Sequence, residues 1–327
     1  MNKISTSRSS GINGSPATLL VIGSRGSQLA LWQANHIAAL LRAEGHEVAI
    51  EIIKTTGDRM QDPGFAVPEG ADGKGIFIKE IEEALADGRI DLAVHSLKDL
   101  PTQLDARFVL AAIPARVDAR DVLVCAQDLR LTDLPPGARV GTTSPRRQAQ
   151  LLALRPNLRF VELRGNVDTR LRKLAEGHAD ALLLAAAGLE RLNRSEWVRQ
   201  HFSPNELCPA PGQGALAIET RVDDAETQRA VQCLEDPETR FCVEAERTVL
   251  HGLGGGCSVP IGAYCTIESA RWRMWGAVIS PDGKRTARIS MAQTDTGDPS
   301  ESAHALGMRI VEELQMQGAG ELLAAGR

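Results

Sequence analysis

Of the six cysteines in this chain, at 125, 208, 233, 242, 257 and 265, one is set apart by its neighbours. Cys257 follows Gly254-Gly255-Gly256 and precedes Ser258-Val259-Pro260. Glycine admits backbone angles closed to other residues and lets a bulky group approach. A thiol there suits a nucleophile or a covalent attachment point, the thiolate being the reactive form. A small buried side chain in a tight turn would leave the same pattern. The other five fall in predicted strands (Cys125, Cys265), predicted helices (Cys233, Cys242) or a Pro-rich linker (Cys208), and no C-x-x-C pair occurs. That scatter fits reduced thiols rather than a zinc site or a disulfide framework. No metal requirement is visible in it.

Asp99 lies in His95-Ser96-Leu97-Lys98-Asp99-Leu100-Pro101, just past an apolar run that reads as a buried strand. In open α/β sheets, ligand-contacting residues gather beyond the carboxyl ends of strands. An aspartate there can stabilise a cation or move a proton. A turn-forming or capping aspartate also fits the local pattern, and His95 reads as a general base or as a hydrogen-bonded core residue.

Arginines supply the third candidate feature. Arg139, Arg146, Arg147, Arg155, Arg159, Arg164, Arg170, Arg172 and Lys173 lie within 35 residues. In three places a strand ends, a short polar or glycine-bearing turn follows, and a helix begins with Arg beside its first turn. These are Ser24-Arg25-Gly26-Ser27, Gly141-Thr142-Thr143-Ser144-Pro145-Arg146-Arg147, and Leu163-Arg164-Gly165-Asn166 with Arg170 one turn further on. Ser144 suits the N-cap and Pro145 the first helical position. A helix N-terminus attracts anions and disfavours arginine by about 0.3–1 kcal/mol per site. Three such sites make sense together if a polyanion occupies the space between them, because the guanidinium fork matches a carboxylate with two parallel hydrogen bonds. Solvated arginines, or arginines paired with Asp and Glu elsewhere, remain the other reading. Arg172 and Lys173 read as surface residues.

The elements that would position these groups follow from periodicity. Thr18–Gly23 reads as a buried strand, a helix follows from Ser27 with Leu29, Trp32, Ile37, Leu40 and Leu41 on one stripe, and Glu47–Ile53 alternates as a strand. A helix is predicted over Ile76–Ala86 and a strand over Ile90–His95. The alternation implies parallel pairing in an α/β sheet. The pattern restarts near Asp121, with strands at 121–125, 139–142, 159–163 and 180–185 and helices at about 145–154, 167–176 and 186–193. Leu207–Gly214 (LCPAPGQG) reads as a crossing linker, and 224–253 as a helical stretch. Strands at 259–267, 271–279 and 284–292, then a helix at about 302–315, suggest a small antiparallel sheet closed by a helix.

Composition narrows the function. With 327 residues, 43% hydrophobic and 24% charged, the chain is of ordinary globular type and long enough for two or three domains. No apolar run reaches the ~20 residues of a membrane-spanning helix. Met1–Ala17 lacks the apolar segment of a secretory signal and reads as a disordered extension. A cytoplasmic location is expected. A net charge of −5 and 3% aromatic residues argue against a nucleic-acid binder, for which stacking platforms would be scarce. A two-lobed solute-binding protein would share paired lobes and helix-terminus anion sites, but would not call for Cys257 or a third domain.

Eight segments, in order, resemble the porphobilinogen deaminase (hydroxymethylbilane synthase) family: SRGSQLALWQA (24–34), DGKGIFIKEIE (72–82), AVHSLKDLP (93–101), GTTSPRRQAQL (141–151), LRGNVDTRL (163–171), AAAGLERL (185–192), PGQGALAIE (211–219) and GGGCSVPIG (254–262). The resemblance spans Thr18 to the C-terminus and thins after about residue 265. It implies two doubly wound α/β lobes like those of two-lobed anion-binding proteins, plus a small α+β third domain with an antiparallel three-stranded sheet. The implied division is 18–114 with 210–234, then 115–209, then 235–327, after an extension at 1–17. It further implies a dipyrromethane cofactor held by Cys257 through a thioether, and Asp99 as the catalytic acid contacting pyrrole N–H groups. Arg25, Ser27, Lys98, Arg146, Arg147, Arg164, Arg170 and Arg191 would bind the acetate and propionate groups of cofactor and substrate. Thr142, Thr143, Ser144, Gly165 and Asn166 would add hydrogen bonds, and Lys74, Phe77 and Lys79 would belong to a mobile loop over the cleft. The implied activity joins four porphobilinogen molecules with loss of ammonia and releases hydroxymethylbilane by hydrolysis. A monomer with no nucleic-acid or membrane partner is expected. Two departures stand out: Pro145 replaces a common Leu, and Arg59–Asp72 is longer and richer in Pro and Gly than usual.

Overall fold

A computed structural model describes residues 19–56, 78–255, 259–293 and 302–324. Cys257, Lys74, Phe77, the extension at 1–17 and the stretch Arg59–Asp72 lie outside the described residues. The first lobe contains β1 (Leu19–Ser24), α1 (Gln28–Ala43), β2 (Glu47–Ile52), α2 (Lys79–Ala86), β3 (Leu92–Ser96) and β4 (Phe108–Ala112). The second contains β5 (Asp121–Val124), β6 (Arg139–Gly141), α3 (Pro145–Leu154), β7 (Arg159–Val161), α4 (Val167–Ala175), β8 (Ala181–Ala185), α5 (Ala186–Arg191) and β9 (Val198–His201). β10 (Leu216–Arg221) then returns to the first sheet.

The two sheets share a layout. Their strand orders are β2-β1-β3-β10-β4 and β7-β6-β8-β5-β9. β1 pairs parallel with β2 and β3, and β6 with β7 and β8. β10 enters antiparallel between β3 and β4, and β5 antiparallel between β8 and β9. The sheets are therefore mixed, where βαβ alternation predicts parallel pairing. The reversed strand in each is the one that follows a chain crossing. Both are buried on two faces, and such a strand reads as a continuous apolar run whichever way it points. Burial cannot betray its direction.

The helical stretch expected at 224–253 is two helices, α6 (Ala225–Val231) and α7 (Pro237–Gly252). Pro237 disfavours helical geometry at the residue before it, and Asp236 there caps α7 by accepting from Thr239 N. β11 (Ile261–Glu268), β12 (Arg271–Ile279) and β13 (Thr286–Ala292) form the small antiparallel sheet in that order. α8 (Ala303–Met316) covers it through Leu306, Ile310 and Leu314, and α9 (Ala319–Ala324), β4 and β9 are further elements that periodicity did not suggest.

One buried carboxylate ties the third sheet to both crossings. Glu246, fully buried on α7, accepts from Arg116 Nη1 at 2.8 Å and Cys265 N at 2.8 Å, and its Oε2 accepts from Gly212 N at 2.7 Å. Arg116 also donates to Cys265 O and lies 4.9 Å from the Tyr264 ring centroid. Glu246→Ala would strand this guanidinium without its counter-charge, which costs about 3–5 kcal/mol. Urea denaturation is expected to show a lower midpoint with an unchanged slope.

Candidate active site

The first lobe presents its candidates from a single turn. β3 runs into a 3-10 turn, Leu97–Asp99, closed by Leu100 N donating to Leu97 O at 3.1 Å. Leu97 is buried and its N–H donates to Ala215 O at 3.0 Å, so the turn is pinned from below. Asp99 is left exposed and Lys98 half-buried. Lys98 Nζ donates to Gln213 Oε1 at 3.3 Å. Burial lowers the Lys98 ammonium to about 8, with Arg147 and Arg146 pushing the same way and Asp99 and Asp121 opposing.

Those arginines come from the second lobe. Ser144 caps α3 by accepting from Arg147 N, and Pro145 takes the first helical position. The two side chains then fold inward to share one aspartate. Arg146 Nη1 donates to Asp121 Oδ2 at 2.6 Å and to Cys208 O at 2.6 Å. Arg147 Nε and Nη2 donate to Asp121 Oδ1 at 3.0 and 2.7 Å, and Nη1 to Leu183 O at 3.1 Å. Burial alone would raise the Asp121 carboxyl, but the two guanidinium groups hold it well below the usual carboxylate range. Arg170 donates from Nε to Gly165 O at 2.8 Å; burial and Arg147 push its guanidinium down and Asp99 opposes them. Gln213 thus links Lys98 of one lobe to Arg147 of the other, and the charge of Asp99 acts on Arg147 and Arg170.

Arg191 completes the group. It is buried, donates from Nη2 to Gly214 O at 2.7 Å and lies 5.8 Å from the centroid of Trp32 on α1. Burial lowers its guanidinium to about 10, and its Nε has no hydrogen-bond partner.

Other candidates serve the frame or face outward. Ser27 caps α1, accepting from Ala30 N at 3.3 Å, and Arg25 is half-buried in the preceding turn. Asn166 caps α4, accepting from Thr169 N, and Gly165 has φ +124°. Thr142 is buried and accepts from Ser144 N, while Thr143 is exposed. Arg164 is exposed and pairs with Glu162 at 2.7 Å, and Lys79 lies 3.9 Å from Glu83. Arg139 pairs with Asp180, Arg155 donates to two carbonyls, and Arg172 stands 3.9 Å from Glu176. His95 sits in the core with Nε2 2.9 Å from Glu219 Oε2. Asp121 and Gln213 escape sequence reasoning: one opens an apolar strand, the other lies in a Pro/Gly linker.

The donor set fits a polycarboxylate ligand. Among the described residues Asp99 and Asp121 are carboxylates that act on the cations Lys98, Arg147 and Arg170, and Arg191 keeps a buried donor unmet. Buried donors are normally satisfied, and carboxylates brought by a ligand would satisfy these. Among the described residues no cluster of His, Cys, Asp and Glu could hold a metal ion, and no helix is long and apolar enough to cross a membrane.

Two α/β lobes that set Lys98 and Asp99 beside buried guanidinium groups form a donor set suited to a polycarboxylate ligand. Family models match residues 20–229 as "Porphobilinogen deaminase, dipyromethane cofactor binding domain" and residues 240–316 as "Porphobilinogen deaminase, C-terminal domain". The chain belongs to the porphobilinogen deaminase family. A porphobilinogen deaminase of Brevibacillus brevis is 49% identical over 308 residues, covering 93% of this chain and 96% of the relative. Another, of Maridesulfovibrio salexigens, is 47% identical over 306 residues, covering 93% and 97%. Among solved structures, a nutrient binding protein from Burkholderia cenocepacia bound to methionine aligns at TM-score 0.41 and 15% identity, covering 67% of this chain and 93% of that one. That likeness is too remote to bear on the site.

Proposed function

We propose that this protein condenses four porphobilinogen molecules head to tail, with loss of ammonia, and releases the linear tetrapyrrole hydroxymethylbilane by hydrolysis. The observation that carries this reading is that Gln213 joins Lys98, beside Asp99 in one lobe, to Arg147 of the other at 3.3 and 3.4 Å, in a chain of the porphobilinogen deaminase family. The dipyrromethane cofactor, held through a thioether to Cys257, supplies a nucleophilic pyrrole carbon. Each porphobilinogen brings two carboxylates, which Arg146, Arg147, Arg170, Arg191 and Lys98 bind and orient through charge-assisted hydrogen bonds. Arg25, Ser27, Thr142, Thr143, Ser144, Arg164, Gly165 and Asn166 extend this binding surface, and Lys74, Phe77 and Lys79 serve the loop over it. Asp99 balances positive charge as it develops at the pyrrole nitrogen. The domains are taken as 18–114 with 210–234, 115–209 and 235–327. The protein acts as a monomer in the cytoplasm, without nucleic-acid or membrane partners.

Intact-mass measurement tests the reading. The wild-type chain is expected to exceed its sequence mass by two pyrrole units, and Cys257→Ser to lose the excess together with turnover. A wild-type chain of bare sequence mass that still converts porphobilinogen would sink the tether.

A further inference from the structure

We propose that Gln213 is a positioning residue, a neutral amide that holds Lys98 of one lobe and Arg147 of the other in place for substrate carboxylates without adding a negative charge between them. The inference rests on the reading of this site as a polycarboxylate-binding pocket.

Gln213 is buried at 1% exposure. Its Oε1 accepts from Lys98 Nζ at 3.3 Å and from Arg147 Nη2 at 3.4 Å. Its Nε2 donates to Ala119 O at 2.7 Å and to Asp121 Oδ1 at 3.0 Å. The amide cannot be turned over: reversed, its NH2 would face two cations and its oxygen two acceptors, with all four contacts repulsive. Orientation is therefore set by chemistry on both sides.

The backbone around it is equally constrained. Gly212 and Gly214 have φ +72° and +87°. A Cβ on Gly212 would come within 2.9 Å of Leu97 Cγ and 3.2 Å of Lys98 N, and one on Gly214 within 2.6 Å of Val117 O. Only glycine lets this turn lie against both the Lys98-Asp99 turn and the first crossing. Gly214 O also receives Arg191 Nη2. One short segment thus meets cations from both lobes.

The choice of an amide has an electrostatic consequence. A carboxylate between Lys98 and Arg147 would add a negative charge to the one Asp121 already sets against Arg147, whereas an amide oxygen accepts their hydrogen bonds and adds none. Lys98 faces Asp99, Arg147, Asp121 and Arg146, and burial among them leaves its ammonium at about 8. An incoming carboxylate relieves the repulsion between these cations, so part of the substrate's binding strength is set by the separation that Gln213 maintains.

The test compares the wild-type holoenzyme with Gln213→Met, which keeps the side chain's length and removes all four hydrogen bonds, and with the shorter amide Gln213→Asn. Gln213→Met is expected to raise KM for porphobilinogen at least tenfold and to change kcat less than threefold. Losing an acceptor destabilises the charged ammonium, so KM is expected to rise above about pH 8 in the wild type and to begin rising at lower pH in the variant. The increase in melting temperature on adding porphobilinogen should shrink in parallel, while the intact mass keeps its pyrrole increment. Gln213→Asn should move each readout the same way by less. Failure of the wild type to convert porphobilinogen would overturn the functional reading itself. A competent wild type beside folded variants with KM within twofold and an unmoved basic limb would overturn the role of Gln213. So would failure of both variants to fold, which would make the residue structural.

Discussion

Asp99→Ala is expected to lower turnover of porphobilinogen about a thousandfold while the intact chain keeps its pyrrole increment. The turn Leu97–Asp99 is fixed by Leu97 from below and by Leu100 N behind, so the carboxylate's place does not depend on what it binds. Arg147 and Arg170 both feel its charge, and they are among the groups that would hold substrate carboxylates. A charge pair at 4 Å in an effective dielectric near 20 is worth about 4 kcal/mol, or roughly three decades of rate. Removing Asp99 takes that stabilisation from the cationic transition state and leaves the carboxylate-binding arginines in position. The loss should therefore appear in kcat more than in KM. Asp99→Asn separates charge from shape: if charge matters, the amide variant falls with the alanine variant. Steady-state assays of both are decisive, and near-normal kcat in either would remove Asp99 from the centre of the mechanism.

The sequence revealed what is local. Ser27, Ser144 and Asn166 stand where N-caps belong, and each accepts the hydrogen bond its position predicts. The same locality made the arginines at helix starts legible as a set. Whether each faces a ligand or a neighbouring carboxylate depends on contacts far along the chain. Arg146 and Arg147 take Asp121, 25 and 26 residues away, and that aspartate opens a strand whose other residues are Val122, Leu123 and Val124. Nothing in an apolar tetrapeptide marks its first residue as the hinge of a charge network. Arg164 finds Glu162 two residues back and stays exposed, though its motif looks no different from the others. Gln213 carries no charge and lies in Pro-Gly-Gln-Gly, a string that reads as a linker; its four partners come from three other segments. The reversed strands were hidden for a related reason, since residues buried on both faces lose the alternation that would orient them.

Asp121→Ala should be the most damaging single change to the folded frame of the site. Asp121 is fully buried and shared between two buried guanidinium groups, one receiving a single short contact and the other a fork. Its removal leaves Arg146 with Cys208 O, and Arg147 with Leu183 O and Gln213, to satisfy charges largely shielded from water. Breaking a buried pair from one side costs about 3–5 kcal/mol, and two cations stranded together argue for the upper end. The pH dependence identifies the cause. Because the arginines hold the folded-state carboxyl below its unfolded value, the stabilisation is complete above an unfolded pKa of about 3.9 and is lost as pH falls through the folded value. Urea midpoints of wild type and variant should thus differ by a constant amount from about pH 5 to 8, and the gap should narrow on acidification. Asp121→Asn, which keeps the shape and two of the acceptor sites, should fall between them. A gap that stayed the same width down to pH 2 would mean that Asp121 holds the arginines by packing and hydrogen bonding alone, and that its charge is not what lets two guanidinium groups lie buried side by side.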